Sequence, residues 1–225
     1  MTFSLTGRCA ETGMFGVAVT SSSMAVAARC AFVRAGVGAV ATQNITDPRL
    51  GPMALDFMED GMSATQALEA ILSEHIDSPY RQLALVDAGG RTADFSGAKT
   101  LGCHAVATGE GAVAAGNLLS DAGVPEAMLH AFAGSAGEHL AERLLRALEA
   151  GLAAGGEEGP VRSAGMVVAN REAWPYIDLR VDWSDGDPIA DLRAVWQGWQ
   201  PQMKDYVTRA LNPDASPSYG VPGDP

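Results

Sequence analysis

The feature that most constrains this chain is the order of its segments: β-like runs arrive as hairpins and helix-like runs arrive in pairs. Thr2 to Thr6 alternate polar and apolar, Glu11-Thr12-Gly13 supplies a turn, and Met14 to Thr20 (MFGVAVT) is β-rich, so residues 2–21 predict a hairpin. Val37 to Gln43 (VGAVATQ) reads as a third strand. Helices follow over Pro52 to Glu59 and Ser63 to His75, the second with Ser63 as N-cap and an apolar face of Ala67, Leu68, Ile71 and Leu72. A hairpin spans Arg81 to Asp87 and Arg91 to Phe95 around Ala88-Gly89-Gly90, and a β region covers His104 to Gly116. Two more helices (Val124 to Phe132, Gly137 to Leu152), strands at Ala164 to Ala169 and Tyr176 to Asp182, and a helix from Ile189 to about Trp199 complete the order. A doubly wound parallel sheet alternates single strands with single helices, so this order fits it poorly. The expected class is α+β, with two antiparallel sheets face to face and helix pairs outside.

That architecture needs layers that approach closely, and the 26 glycines and many alanines suit it. The expected partition is one domain, residues 1–211, then a tail from 212 to 225 (NPDASPSYGVPGDP) that is disordered or loosely docked. The formal charge of −12, with Lys99 and Lys204 the only lysines, repels nucleic acid and acidic bilayers. No apolar run reaches 18 residues, and Met1 to Arg8 hold no basic stretch followed by an apolar one, so neither a membrane span nor a secretory signal is expected. Cys9, Cys30 and Cys103 are odd in number and widely spaced, which predicts no disulfide framework and a reducing, cytoplasmic setting.

For chemistry, the leading residue is Thr2. Met followed by a small residue is the arrangement from which Met is commonly removed, and removal leaves a hydroxyl and a free α-amine on one residue. The amine then serves as general base for its own hydroxyl. With a pKa of about 7.7–8.0, roughly a seventh of such amines are neutral at pH 7. Thr2 also opens directly into a strand that pairs with one ending at Thr20-Ser21-Ser22-Ser23.

The blocks TFSL, ETGMFGVAVTSSSMAV, RAGVGAVATQ, YRQLALVDAGGRTADFSG, GEGAVAAGNLL, LAERLLRALEAGLAAGG and IDLRVDWSDGDP, from residue 2 to about 193, resemble an uncharacterised bacterial family that is Ntn-hydrolase-like. The resemblance implies the four-layer αββα sandwich of N-terminal-nucleophile hydrolases. Carried over by position, the family's opening Thr falls on Thr2 and the Ser after its GVAV strand on Ser21. Its ATQ falls on Ala41-Thr42-Gln43, its RQ on Arg81-Gln82, its GN on Gly116-Asn117 and its DLRVD on Asp178 to Asp182. This chain departs at Ser22, where the family often has Lys or His, and at Ala115, where it often has Gln. Family histidines fall on Val106, two residues from His104, and near Ser184.

The reaction this implies is cleavage of a small amide or related C–N bond by Thr2. Asn117 is the candidate oxyanion donor, Arg34 or Arg81 the cation that lowers the amine pKa or holds a substrate carboxylate, and Ser21 and Gln43 complete the candidate site. The alternative is a non-catalytic small-molecule-binding or assembly protein on the same scaffold; acidic, Ala-rich helices also suit a homo-oligomer. No metal or cofactor is expected. The G-x-G-x-x-A run at Gly36 to Ala41 opens a β-like stretch rather than a helix, against a dinucleotide fingerprint. His75, His104, His130 and His139 lack ligand spacing, and adjacent Cys103 and His104 would point oppositely in a strand. Asp178, Arg180 and Asp182 share one strand face and read as a paired charge face.

Overall fold

The alternating opening segment forms β1 (Thr2–Arg8), paired antiparallel with β2 (Phe15–Ser21), Phe3 lying opposite Thr20 and Arg8 opposite Phe15. The structure is a computed structural model and describes residues 1–223. The fold is α+β, with two antiparallel sheets and, among the described residues, seven α-helices. One sheet joins the first hairpin to the hairpin β7 (Ala105–Gly109) and β8 (Ala112–Asn117), and to β9 (Ser163–Ala169) and β10 (Ile177–Val181), in the order β10-β9-β2-β1-β8-β7. The other runs β3 (Ala31–Arg34), β4 (Gly38–Asn44), β5 (Arg81–Asp87), β6 (Thr92–Ser96).

Because strand side chains alternate between faces, each sheet is divided among separate cores. Phe3 and Leu5 of β1 join a core with Met128 and Phe132 of α4 (Val124–Gly134), Leu144 and Leu148 of α5 (Leu140–Ala153) and Trp196 of α6 (Pro188–Trp199). Val40, Leu83 and Leu85 of the smaller sheet pack on α2 (Leu50–Glu59) and α3 (Ala64–Glu74). Between the sheets lie Phe15, Val17, Ala39, Ala41, Ala84, Val86, Val113, Ala115 and Val167, several of them alanines that let the layers close. At Gly16 a Cβ would stand 2.6 Å from Leu144 Cδ1 and 3.2 Å from Val167 O, so α5 and β2 approach closely there and any side chain would require Leu144 to shift.

Local signals set the helix ends. The Ser63 side chain accepts from Gln66 N, and Gln66 in turn accepts from Ser63 N, a complete capping box. Asp187 accepts from Ile189 N and Ala190 N ahead of α6.

The structure adds three elements that periodicity does not reveal: α1 (Ala27–Cys30), β3 and α7 (Met203–Leu211). The first two are four residues each, too short to show a period, and α7 buries only Met203. Gly36, at φ +73°, turns the chain between β3 and β4, so the G-x-G-x-x-A run is a hairpin. After α7, Arg209 stacks on Tyr219 and donates to the carbonyls of Pro217 and Ser218; residues 224 and 225 of the expected tail lie outside the described residues.

Candidate active site at the start of the first strand

Thr2 sits at the head of β1, 5% exposed, on the face that looks toward the second sheet. It lies opposite Asn117 of β8, and on its other side its Oγ1 is 3.4 Å from Ser21 Oγ at the end of β2. The carbonyl oxygen of Met1 accepts from both the Thr2 and the Ser21 hydroxyl. Ser21 Oγ is 2.8 Å from Ser23 Oγ, which accepts from Arg29 Nη2 at 2.6 Å. A chain of hydroxyls therefore links the Thr2 side chain to the Arg29 guanidinium.

A buried network behind Thr2 is fixed in orientation by one carbonyl. Gly116 O can only accept, so the Gln82 group 3.0 Å from it is Nε2, and Gln82 Oε1 must face the other way. There it accepts from Gln43 Nε2 at 2.8 Å and Asn117 Nδ2 at 3.0 Å, and Gln43 Oε1 accepts from Ser4 Oγ at 2.7 Å. One N–H of Asn117 Nδ2 is thus used, and its Oδ1 is buried without a hydrogen-bond partner among the described residues. In this arrangement Asn117 presents a free acceptor, Oδ1, beside the second N–H of Nδ2.

Glu157 is the group that sequence reasoning missed. It is 5% exposed, accepts from Ser22 N with both oxygens at 3.2 Å, and feels the charge of the N-terminal amine. Burial pushes its carboxyl up to about 7, against the lowering effect of the amine and the Ser22 hydrogen bonds. Gly155 and Gly156, both at positive φ, turn the chain after α5, and a bridge from Leu119 to Glu157 ties this segment beside β8. In sequence Glu157 stands beside Glu158, which is exposed; nothing in the pair Glu-Glu tells which one turns inward.

Strain gathers around the same end. The three non-glycine residues with positive φ among those described are Ala25 (51°), Asn44 (73°) and Leu118 (50°). Asn44 ends β4, Leu118 follows Asn117, and Ala25 lies two residues past Ser23. Each such residue costs about 1–3 kcal/mol and persists only where surrounding contacts hold it, as the bonds of Asn44 to Tyr80 O and Leu101 N do.

Thr2, Ser21, Gln43 and Asn117 therefore meet at one end of the layer between the sheets, whereas the arginines do not join them. Arg34 ends β3 beside Gly38, five residues or about 17 Å of strand from Gln43, and is ion-paired with Asp56 at 2.8 Å and Glu59 at 2.6 Å. Arg81 is at the correct end, but its guanidinium donates to Ile45 O on the exposed rim. The cation linked to Thr2 is Arg29, which sequence reasoning did not name. His104 and Cys103 are both exposed, and His139 caps α5 and stacks on Trp196. Arg180 pairs with Asp178 at 2.8 Å on an exposed face, as its strand position suggests.

A family model covers residues 2–192, the span of the resembling blocks. The chain belongs to the DUF1028 family. That family is described as one of unknown function. Among solved structures, the crystal structure of protein SPO2555 from Silicibacter pomeroyi, of the same family model, has a TM-score of 0.82 and 30% identity, covering 88% of this chain and 89% of that one. Anbu (ancestral beta-subunit) from Yersinia bercovieri has a TM-score of 0.39 and 8% identity, covering 91% of this chain and 97% of that one, too distant to bear on this DUF1028 member's function. No curated protein matches the sequence. No helix among the described residues is long and apolar enough to cross a membrane.

Proposed function

We propose that this DUF1028 protein is a cytoplasmic N-terminal-nucleophile amidohydrolase on a four-layer αββα sandwich, cleaving a small amide or related C–N bond after Met1 is removed. The observation that carries the reading is the surroundings of Thr2: a nearly buried hydroxyl between Ser21 and Asn117, at the same end of the fold as a buried carboxyl and flanked by strained backbone.

With Met1 gone, the neutral Thr2 amine takes the hydroxyl proton while Oγ1 attacks the substrate carbonyl carbon, forming the Oγ1–C bond. The Ser21 hydroxyl, which already donates to a carbonyl oxygen here, donates to the oxyanion. The C–N bond then breaks, the leaving nitrogen takes the proton from the Thr2 amine, and water hydrolyses the ester to restore Thr2. Asn117 Oδ1 accepts from the amine and orients its lone pair. Arg29, acting through Ser23 and Ser21, favours the neutral amine.

Intact mass of protein purified from cells tests the first step, with loss of Met1 expected. Labelling of the processed protein by an amide-mimicking electrophile, mapped to Thr2, tests the second. Quantitative retention of Met1 overturns the proposal. Processed protein that no such reagent labels, while a small ligand mapped to the cleft at Thr2 still binds the Thr2→Ala variant unchanged, favours the binding-protein reading.

A further inference from the structure

The far end of β1, about 20 Å along the strand from Thr2, borders a separate cavity of about 510 Å³. Its size falls within the range that holds small ligands. Two arginines line it, Arg8 from the end of β1 and Arg143 from the first turn of α5. In so acidic a chain most arginines are ion-paired, yet among the described residues neither of these makes an ion pair.

Neither guanidinium has all its donors used among the described residues, and the terminal nitrogens of Arg8 and Nη1 of Arg143 are the ones left for a ligand. Arg8 Nε is buried without a hydrogen-bond partner, and its guanidinium is held near the ring of Phe15, 6.0 Å from the centroid. Arg143 lies over Phe132, 3.9 Å from the ring centroid, and gives Nε and Nη2 to Phe132 O, so Nη1 is uncommitted. A planar guanidinium pinned against a ring loses little freedom on binding and matches a carboxylate in shape.

The mouth has the opposite character. Glu11, Glu110 and Glu126 line the cavity and are all exposed, so with the two arginines its formal charge is −1. A dianion such as phosphate meets net repulsion there. Leu129 and Phe132 supply an apolar wall. We infer that this cavity binds a small zwitterion with an apolar side chain, an α-amino acid or short peptide, its carboxylate on Arg8 and Arg143 and its ammonium toward the glutamate rim. The site is independent of the chemistry at Thr2.

Calorimetric titration of the full chain with L-leucine and with leucylglycine tests this. At least one should give saturable heat, while 4-methylpentanoate (leucine without its amine) and inorganic phosphate bind at least about tenfold more weakly. Arg143→Met and Arg8→Met should each weaken the zwitterion about tenfold or more. Should either fail to fold, Glu110→Gln reports from the surface, weakening the zwitterion but not 4-methylpentanoate. Thr2→Ala should leave binding unchanged. No saturable heat from either zwitterion, phosphate binding equal to theirs, or unchanged affinity in Glu110→Gln together with the folded arginine variants overturns the inference.

Discussion

Thr2 and Thr6 stand on the same strand and the same face, four residues apart, yet they inhabit opposite halves of the layer between the sheets. Thr6 lies opposite Val17 on one side and Val113 on the other, within the apolar half. Thr2 lies between Ser21 and Asn117, in front of the Ser4–Gln43–Gln82–Asn117 network. Stability does not call for the second arrangement, since well-packed apolar residues in its place would serve folding at least as well. The network holds Asn117 with one acceptor free and keeps a hydroxyl, a carboxyl and strained backbone at one place, the combination on which the proposed chemistry rests. The contrast teaches that the two halves are built for different ends, and it can be broken at several points.

The largest expected effect is at Thr2 itself. In Met1-processed protein, Thr2→Ala should slow electrophile labelling by about 10³-fold or more, since in the proposed reaction Thr2 Oγ1 is the attacking atom. Labelling that survives in Thr2→Ala would assign the chemistry to another residue.

Glu157 comes next. Its folded-state pKa of about 7 stands above the ordinary 4.5, so below about pH 4.5 the group is protonated in both folded and unfolded chains. Between there and about 7 the folded protein keeps a proton that the unfolded chain releases, so stability falls as pH rises through that window and levels off above it. The loss is on the order of 3 kcal/mol. Urea unfolding at pH 4.5 and pH 8 should show that decline in wild type and its absence in Glu157→Gln. Parallel pH profiles would mean that Glu157 is not buried as described.

Gln82→Leu removes the acceptor shared by Gln43 and Asn117 and leaves two buried N–H groups unsatisfied. A loss of about 2–3 kcal/mol in unfolding free energy is expected. A loss below about 1 kcal/mol would show that water enters the polar half and that the network is not rigid.

Most of the framework can be read from sequence because it rests on local signals: turn glycines, a capping box at Ser63, an Asp187-Pro188 helix start and strand alternation. Thr2, Ser21, Gln43 and Asn117 are legible through their places in motifs at strand ends, and strand register brings them together. What stays hidden in the sequence depends on distance in space. Arg34, Arg81 and Arg29 are alike as letters, and only the pairing of β3 with β4 carries Arg34 away while the turn into α1 brings Arg29 to Ser23. Glu157 requires knowing which of two adjacent glutamates the Gly155-Gly156 turn directs inward.

The smallest effect tests the apolar half. Thr6 is fully buried, and its Oγ1 has no hydrogen-bond partner among the described residues. A hydroxyl in that position loses its hydration on folding and gains nothing in exchange, a penalty of about 1–3 kcal/mol in proteins. Thr6→Val keeps the β-branched shape, removes the orphaned polar atom and completes a row of three valines across β2, β1 and β8. The variant should therefore be more stable by about 1 kcal/mol, a rise of about 2–4 °C in melting temperature for a chain of this size. Thr2 labelling should not change, because the substituted face lies about 13 Å along the strand from the hydroxyl. A destabilised Thr6→Val would mean that a bound water satisfies Oγ1, and the boundary between the two halves would then lie nearer the Arg8 end.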